Sequence, residues 1–120
     1  MIETHAHVLD EKFDADRDAT LSRAREAGIT TIIEVGCVPD SWQKTIDFAV
    51  SHENIYCVLG VHPQEATSAN ANVLDTLTQA CSHHKVVGIG ETGLDYHFET
   101  SPRAVQKEVF AAHVGIARKL

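Results

Sequence analysis

Two histidines one residue apart, His5 and His7, are the residues of this chain whose type and spacing point most directly to chemistry. Alternate side chains of an extended segment point the same way, so one short strand directs both imidazoles to one place. Imidazole is the commonest protein ligand for metal ions because it offers a neutral nitrogen near physiological pH. The pair is therefore half of a candidate metal site, although a chain with eight histidines also produces this spacing by chance.

Short apolar runs alternate with longer segments of helical periodicity along the whole chain. The predicted strands are Met1–Thr4, Thr30–Val35, Ile55–Val61 and Val86–Gly90. The predicted helices are Asp14–Ala27, Ser41–Ser51, Ala71–Cys81, and a fourth with Ser101 as N-cap, Pro102 as first residue and Leu120 as last. This alternation indicates a parallel α/β architecture. An open doubly wound sheet and a (β/α) barrel both fit, and the first junction lacks the G-x-G-x-x-G pattern of a dinucleotide-binding sheet.

This order brings further polar residues to the carboxyl ends of the predicted strands. His62 follows the third strand in Gly60-Val61-His62-Pro63, and Glu91 follows the fourth in Gly88-Ile89-Gly90-Glu91. Ligands and catalytic groups gather at this edge in barrels and in open sheets alike. We therefore expect His5, His7, His62 and Glu91 to form one metal centre. The plainer alternatives are that His62 shapes a loop before proline and that Glu91 is solvated.

Other polar residues carry weaker signals. Asp95 fits a loop cap and a residue that orients a ligating histidine equally well, and His97, at the same edge, is ambiguous. The remaining histidines are predicted to lie in solvated turns, at a helix end or in helix packing: His52, His83, His84 and His113.

Composition bounds the class of protein. The chain has 120 residues, 43% hydrophobic and 22% charged, which is ordinary for one soluble domain with a real core. We find no membrane span or signal peptide, and an odd, widely spaced set of cysteines predicts a reduced, cytoplasmic protein: Cys37, Cys57 and Cys81. A net charge of −7 argues against a simple nucleic-acid-binding module. It argues less against a metalloenzyme, in which bound cations supply positive charge.

The chain resembles the N-terminal part of the TatD family of metal-dependent deoxyribonucleases over essentially all of its length. The matching segments are Thr4-His5-Ala6-His7, Phe13-Asp14-Ala15-Asp16-Arg17, Arg25-Glu26-Ala27-Gly28-Ile29, Gly60-Val61-His62-Pro63, Gly88-Ile89-Gly90-Glu91-Thr92-Gly93-Leu94-Asp95-Tyr96 and Ser101-Pro102-Arg103 with Gln106 and Phe110. The H-x-H pair alone is shared with many amidohydrolase-like enzymes, whereas its combination with the two glycine-containing motifs is specific.

The resemblance implies a TIM-type (β/α) barrel, of which this single domain of residues 1–120 supplies about four of eight units. It implies one or two divalent metal ions, Mg, Mn or Zn, held by His5, His7 and Glu91. It also implies that Glu91 and His62 are catalytic, that His62, Asp95 and Tyr96 contact substrate, and that the substrate is DNA, cleaved at phosphodiester bonds.

The resemblance also implies what the 120 residues lack. The family has later ligands, two histidines after strands five and six and an aspartate after strand eight. Half a barrel has unpaired strand edges, so we expect a fragment or a truncated product, a homodimer, or pairing with a missing C-terminal half. The predicted fourth helix reaches Leu120 without a C-cap. Two rival functions stay open, an amidohydrolase-like hydrolase of small esters or lactones and a catalytically inert half-barrel.

Overall fold

Four parallel strands and four α-helices alternate along the chain in a computed structural model that describes residues 1–120. The strands are β1 (Ile2–Ala6), β2 (Thr31–Gly36), β3 (Ile55–Leu59) and β4 (Val86–Ile89). The helices are α1 (Arg17–Glu26), α2 (Trp42–Val50), α3 (Ala71–Ala80) and α4 (Arg103–Ala117). Three short 3-10 helices add Glu11–Phe13, Pro39–Ser41 and Pro63–Ser68.

The order of the strands in the sheet decides between the two predicted architectures. The sheet runs β1-β2-β3-β4, with each strand parallel to its neighbour. A doubly wound sheet reverses its strand order at a switch point, and this sheet does not. Because each crossover has the same hand, a sequential order carries the helices to one side of the sheet. The topology is that of consecutive units of a (β/α) barrel.

The hydrophobic core lies between the sheet and its helices. It consists of Val8, Leu21, Ile32, Trp42, Ile46, Ala49, Ile55, Cys57, Leu59, Val61, Leu77, Cys81 and Ile116. In β3, Ile55, Cys57 and Leu59 are buried and the two residues between them are partly buried. Such coverage explains why the strand reads as a continuous apolar run, which is typical of parallel sheets. The core therefore holds the strands in register, and the strand ends carry the polar residues.

Three helix starts differ from the sequence prediction, that of the second helix by one residue, Trp42 in place of Ser41. The first helix begins at Arg17 and not at Asp14, because the preceding residues form a 3-10 turn capped by the Asp10 side chain, which accepts from the Lys12 N–H. The fourth begins at Arg103 with Pro102 as its N-cap residue. Ser101 is not the N-cap, because its hydroxyl donates to the Gln64 carbonyl at 2.8 Å and accepts from the Thr67 N–H.

The strand ends shift by one or two residues, with consequences for the site. The first strand reaches Ala6, so His5 lies within it and His7 just beyond it. The third strand ends at Leu59, three residues before His62, and the fourth ends at Ile89, two residues before Glu91. No helix is long and apolar enough to cross a membrane.

Candidate metal centre

Three side chains from two strand ends face one another at the carboxyl edge of the sheet. The Nε2 atoms of His5 and His7 lie 3.2 Å apart. Glu91 Oε2 lies 3.5 Å from His5 Nε2 and 3.9 Å from His7 Nε2. These three residues form a group of candidate metal-ligating side chains whose donor atoms all lie within 4.8 Å of one another. The structure therefore brings the three predicted metal ligands together.

The spacing of these donors fits a divalent cation. Nitrogen and oxygen ligands sit about 2.0–2.1 Å from zinc, and two such ligands at tetrahedral or right angles are about 3.0–3.4 Å apart. The observed separations lie at or slightly beyond that range, so the cation needs only small side-chain rotations. Imidazole and carboxylate together suit Zn, Mn, Fe, Co or Ni, whereas Mg prefers oxygen ligands. The side chains stay 52%, 42% and 33% exposed for His5, His7 and Glu91, which leaves room for substrate or further ligands.

His62 lies on the other side of the Glu91 carboxylate. Its Nε2 is 3.6 Å from Glu91 Oε1, whereas Oε2 of the same carboxylate faces His5 and His7. The His62 Nδ1 atom accepts a hydrogen bond from the Gln64 backbone N–H at 3.2 Å. In a neutral imidazole with Nδ1 as acceptor, the proton is on Nε2. His62 therefore presents an N–H group to the centre and not a lone pair for a metal.

A close approach of two backbones places His62 beside Glu91. A Cβ atom on Gly60 would lie 2.8 Å from the Gly90 carbonyl carbon and 2.9 Å from the Glu91 carbonyl oxygen. Only glycine allows the ends of β3 and β4 to come this near. The Gly60 carbonyl also accepts from the buried Trp42 indole N–H at 3.0 Å. The glycine before Val61 and His62 is thus a steric requirement of the site.

The chain is similar to a family of known proteins. The profile of the family described as TatD related DNase matches residues 2–120. The chain belongs to the TatD family.

Individual TatD relatives extend the comparison. The chain is 32% identical over its full length to the uncharacterized metal-dependent hydrolase YabD of Bacillus subtilis, and covers 47% of that protein. It is 34% identical over its full length to the 3'-5' ssDNA/RNA exonuclease TatD of Pantoea ananatis, and covers 46% of it. Among solved structures it is similar to YJJV, a TatD homolog from Escherichia coli K12, with a TM-score of 0.90 and 28% identity over 99% of this chain and 47% of that one.

These relatives confirm the fold and the family. The chain has the parallel βα repeats of the TatD (β/α) barrel, four units in number. It spans about half the length of the relatives it matches. Membership places it in a family of metal-dependent hydrolases and nucleases.

Asp95, in the segment from Gly88 to Tyr96 that matches the TatD family, serves as a loop cap in this structure. Its Oδ1 accepts from the backbone N–H groups of His97 and Phe98, and its Oδ2 accepts from the Gln64 side-chain amide at 2.8 Å. The Gln64 hydrogen bond and these two N–H groups lower the pKa of Asp95. Since the Gln64 backbone N–H donates to His62, Asp95 also supports the residue that holds His62. Direct contact between Asp95 and substrate stays a prediction.

Tyr96 lies on the exposed surface of the same loop. The Arg103 guanidinium sits 4.4 Å from the centre of its ring and pairs with the Glu99 carboxylate. Tyr96 as a whole residue is 39% exposed. Contact between Tyr96 and substrate also stays a prediction.

Two buried polar residues support the site although the sequence alone assigned them no role in it. Gln106 on α4 accepts from the Asp95 N–H at 2.7 Å and donates to the Asp95 carbonyl at 3.0 Å, so it holds the loop after β4. Glu34 on β2 is 1% exposed and accepts from the backbone just after His7. The sequence signal that could have identified Glu34 is a charged residue within the apolar run Ile32-Ile33-Glu34-Val35. A charge in such a run is buried only when it has hydrogen-bonding or charged partners.

Proposed function

We propose that this chain supplies the metal-binding edge of a deoxyribonuclease that hydrolyses phosphodiester bonds of DNA. The observation that carries the proposal is the convergence of His5, His7 and Glu91, with the His62 N–H group on the far side of the same carboxylate. A metal site with a hydrogen-bond donor beside it is suited to an anionic substrate such as a phosphodiester.

Each residue of the site has a distinct role in the proposed reaction. A divalent cation held by His5, His7 and Glu91 would polarise a phosphoryl oxygen and lower the pKa of a bound water. The His62 Nε2–H group donates a hydrogen bond to a phosphate oxygen. Glu91 joins the two halves of the site, since its Oε2 faces the histidine pair and its Oε1 faces His62. Gly60 keeps His62 and Glu91 together, because any side chain there would meet the Gly90–Glu91 backbone.

The surface next to the site and the names of the relatives both support the proposal that the substrate is single-stranded. The loop after β4 carries two exposed aromatic residues, Tyr96 at 39% and Phe98 at 66%, and unpaired bases stack on aromatic rings whatever their sequence. The TatD proteins of Pantoea ananatis and Cronobacter sakazakii carry the name 3'-5' ssDNA/RNA exonuclease. Since the chain is acidic, we expect the metal ions and not a basic surface to neutralise the phosphate.

We also propose that four further strands close the barrel before it is active, from a longer chain or from a second copy. The outer sides of β1 and β4 have no strand partner, and they expose Ile2 and Val87 at 58% and 53%. Unpaired edges of this kind invite pairing. Light scattering after size exclusion tests the second copy, and a fully active monomer of 120 residues would contradict closure.

The location we propose is the cytoplasm, on the ground of the thiols. Cys37, Cys57 and Cys81 are all free, and none is paired in a disulfide. Burial raises the pKa of Cys57 to about 12 and of Cys81 to about 11, so both stay protonated and unreactive at neutral pH. Free thiols are typical of a reducing compartment.

The deoxyribonuclease assay uses the protein with its barrel closed and a single-stranded oligonucleotide labelled at its 5′ end, with MnCl2 or with EDTA. We expect shortening of the oligonucleotide that needs metal, that Glu91→Gln abolishes, and that His84→Ala leaves unchanged. His84 is a matched control because it precedes β4, whereas Glu91 follows it. Hydrolysis of lactones or small esters without cleavage of DNA would contradict the proposal and favour an amidohydrolase-like activity. Binding of metal without hydrolysis of either substrate would favour an inert half-barrel.

A further inference from the structure

A buried carboxylate on the second strand holds the backbone that follows His7. Glu34 Oε2 accepts from the Val8 N–H at 2.8 Å, and Oε1 accepts from the Leu9 N–H at 3.0 Å. Each carboxylate oxygen therefore has its own peptide partner. Charge-assisted hydrogen bonds of this kind are shorter and stronger than bonds between neutral groups.

An arginine holds the same segment from the opposite side. Arg17, at the start of α1, donates from Nε to the Val8 carbonyl at 2.8 Å and from Nη2 to the Asp14 carboxylate at 2.5 Å. Val8 itself is 8% exposed and belongs to the core. The residue after His7 thus has its N–H bound by Glu34, its carbonyl bound by Arg17 and its side chain packed. We call Glu34 and Arg17 the clamp.

The clamp uses a carboxylate where a neutral residue would be easier to bury. Burial raises the pKa of Glu34, while the Leu9 and Val8 N–H groups and the Arg17 charge act in the opposite direction. A buried charge is destabilising unless it is fully hydrogen-bonded. A side chain selected only for packing in β2 would be apolar, as Ile32 and Val35 are in the same strand. We therefore assign the Glu34 carboxylate the role of fixing the Val8 and Leu9 peptide groups.

We propose that Glu34 is a positioning residue for the metal centre. It orients the backbone directly after His7, so that the His7 imidazole meets His5 and Glu91 before a cation arrives. His7 lies beyond the end of β1, where no strand neighbour orders it, and its side chain is 42% exposed. Without the clamp, the His7 ring would become ordered only when the metal binds. The loss of conformational entropy at that step would lower the affinity for the metal. This inference rests on the metal centre and not on DNA as the substrate.

The test measures the affinity of the full chain for Zn²⁺ and Mn²⁺ by calorimetry in the wild type and in Glu34→Gln. Glutamine keeps the size of the side chain but replaces one acceptor oxygen with an amide group that faces a backbone N–H. We expect about 10-fold weaker binding, the range found for groups that orient metal ligands. Hydrogen exchange at the Val8 and Leu9 amides should accelerate in the same variant. Arg17→Met removes the other half of the clamp and should weaken binding in the same direction, even if Glu34→Gln fails to fold.

Two control variants separate positioning from other effects. Glu65→Gln removes one negative charge from an exposed residue at the same edge, and Ile116→Val weakens the core away from the clamp. We expect both to bind metal as the wild type does. The proposal is overturned if Glu34→Gln folds and binds metal with wild-type affinity, or if Glu65→Gln weakens binding equally. Because the readout is metal affinity, failure here would leave the proposed deoxyribonuclease activity standing.

Discussion

The two ends of the sheet hold similar residue types and use them differently. At the carboxyl end, the ring nitrogens of His5 and His7 face each other and the Glu91 carboxylate. At the amino end, His52 Nδ1 interacts with the Phe48 carbonyl at 2.9 Å and His83 Nδ1 accepts from the Lys85 N–H. Polar groups at the amino end are thus committed to the backbone, whereas those at the carboxyl end face one another around an open space.

Lys85 makes this contrast clearest. It is a charged side chain only 9% exposed, just before β4. Its Nζ donates to the carbonyls of His52, Glu53 and Ile55 at 2.8 to 3.0 Å. All three protons of the ammonium group have backbone acceptors. In barrels, polar residues at this end serve stability and those at the other end serve chemistry. The stabilising and the chemical role differ in whether the polar atoms of the side chain are already hydrogen-bonded to the backbone. The residue type does not distinguish them.

The largest effect on stability is expected for Lys85→Met. Methionine fills the volume of the lysine stem but leaves three carbonyls without their donor, so unfolding should become easier by about 2–3 kcal/mol. Chemical denaturation measures this change, with the exposed Lys107→Met as control. Metal affinity should not change, and a variant that lost metal binding while still folded would break the division between the two ends.

Gly60→Ala should disturb both fold and site. The added Cβ would lie within 3.0 Å of the Gly90 and Glu91 backbone, so the two strand ends must separate. We expect a loss of about 1–3 kcal/mol from overpacking, with weaker metal binding in calorimetry because Glu91 moves. Gly115→Ala is the matched control, since no atom lies within 4 Å of its added Cβ and alanine favours the helix. Unchanged metal affinity in Gly60→Ala would show that the close approach does not position Glu91.

A smaller, pH-dependent effect is expected for His113 on α4. Its Nε2 accepts from the Val61 N–H at 3.0 Å, and its Nδ1 contacts the Val109 carbonyl. Burial lowers the pKa of His113 below its ordinary value of 6.5. The unfolded chain therefore takes up a proton that the folded chain resists, and stability falls as pH decreases below that value. Urea unfolding at several pH values should show this slope in the wild type and a shallower one in His113→Gln. Equal slopes would mean that His113 does not titrate with unfolding.

The fold and the candidate metal-ligating residues could be predicted from the sequence because both follow from local patterns. Apolar strands with intervening helices indicate parallel repeats, and alternation along one strand places His5 beside His7. The choice of the barrel over the doubly wound sheet depended on the order of the strands in the sheet. The spacing of strands and helices along the sequence does not determine that order. The sequence also indicated the edge that Glu91 occupies, but not which carboxylate oxygen faces which histidine.

The parts that sequence reasoning missed depend on partners far along the chain. Glu34 binds backbone groups 25 and 26 residues away, and Gln106 binds Asp95 from another element. Ser101 looked like a helix cap from its neighbour Pro102, but its hydroxyl bonds to Gln64, 37 residues away. Rules based on neighbouring residues predict a hydrogen-bond partner that is close in the sequence. These side chains instead bond to partners that only the tertiary fold brings near. His113 shows the same limit, since only the fold brings it to Val61.

We infer that His5, His7 and Glu91 form a metal centre that the amino-end histidines do not share. The most direct test is a calorimetric titration of the chain with Mn²⁺ or Zn²⁺, comparing His7→Ala with His84→Ala. Each variant loses one exposed imidazole, so the overall number of histidines stays matched. We predict that His84→Ala binds metal as the wild type does and that His7→Ala binds at least about 100-fold more weakly, since loss of a ligand exceeds loss of its supporting groups. Equal affinities in the two variants would contradict the account.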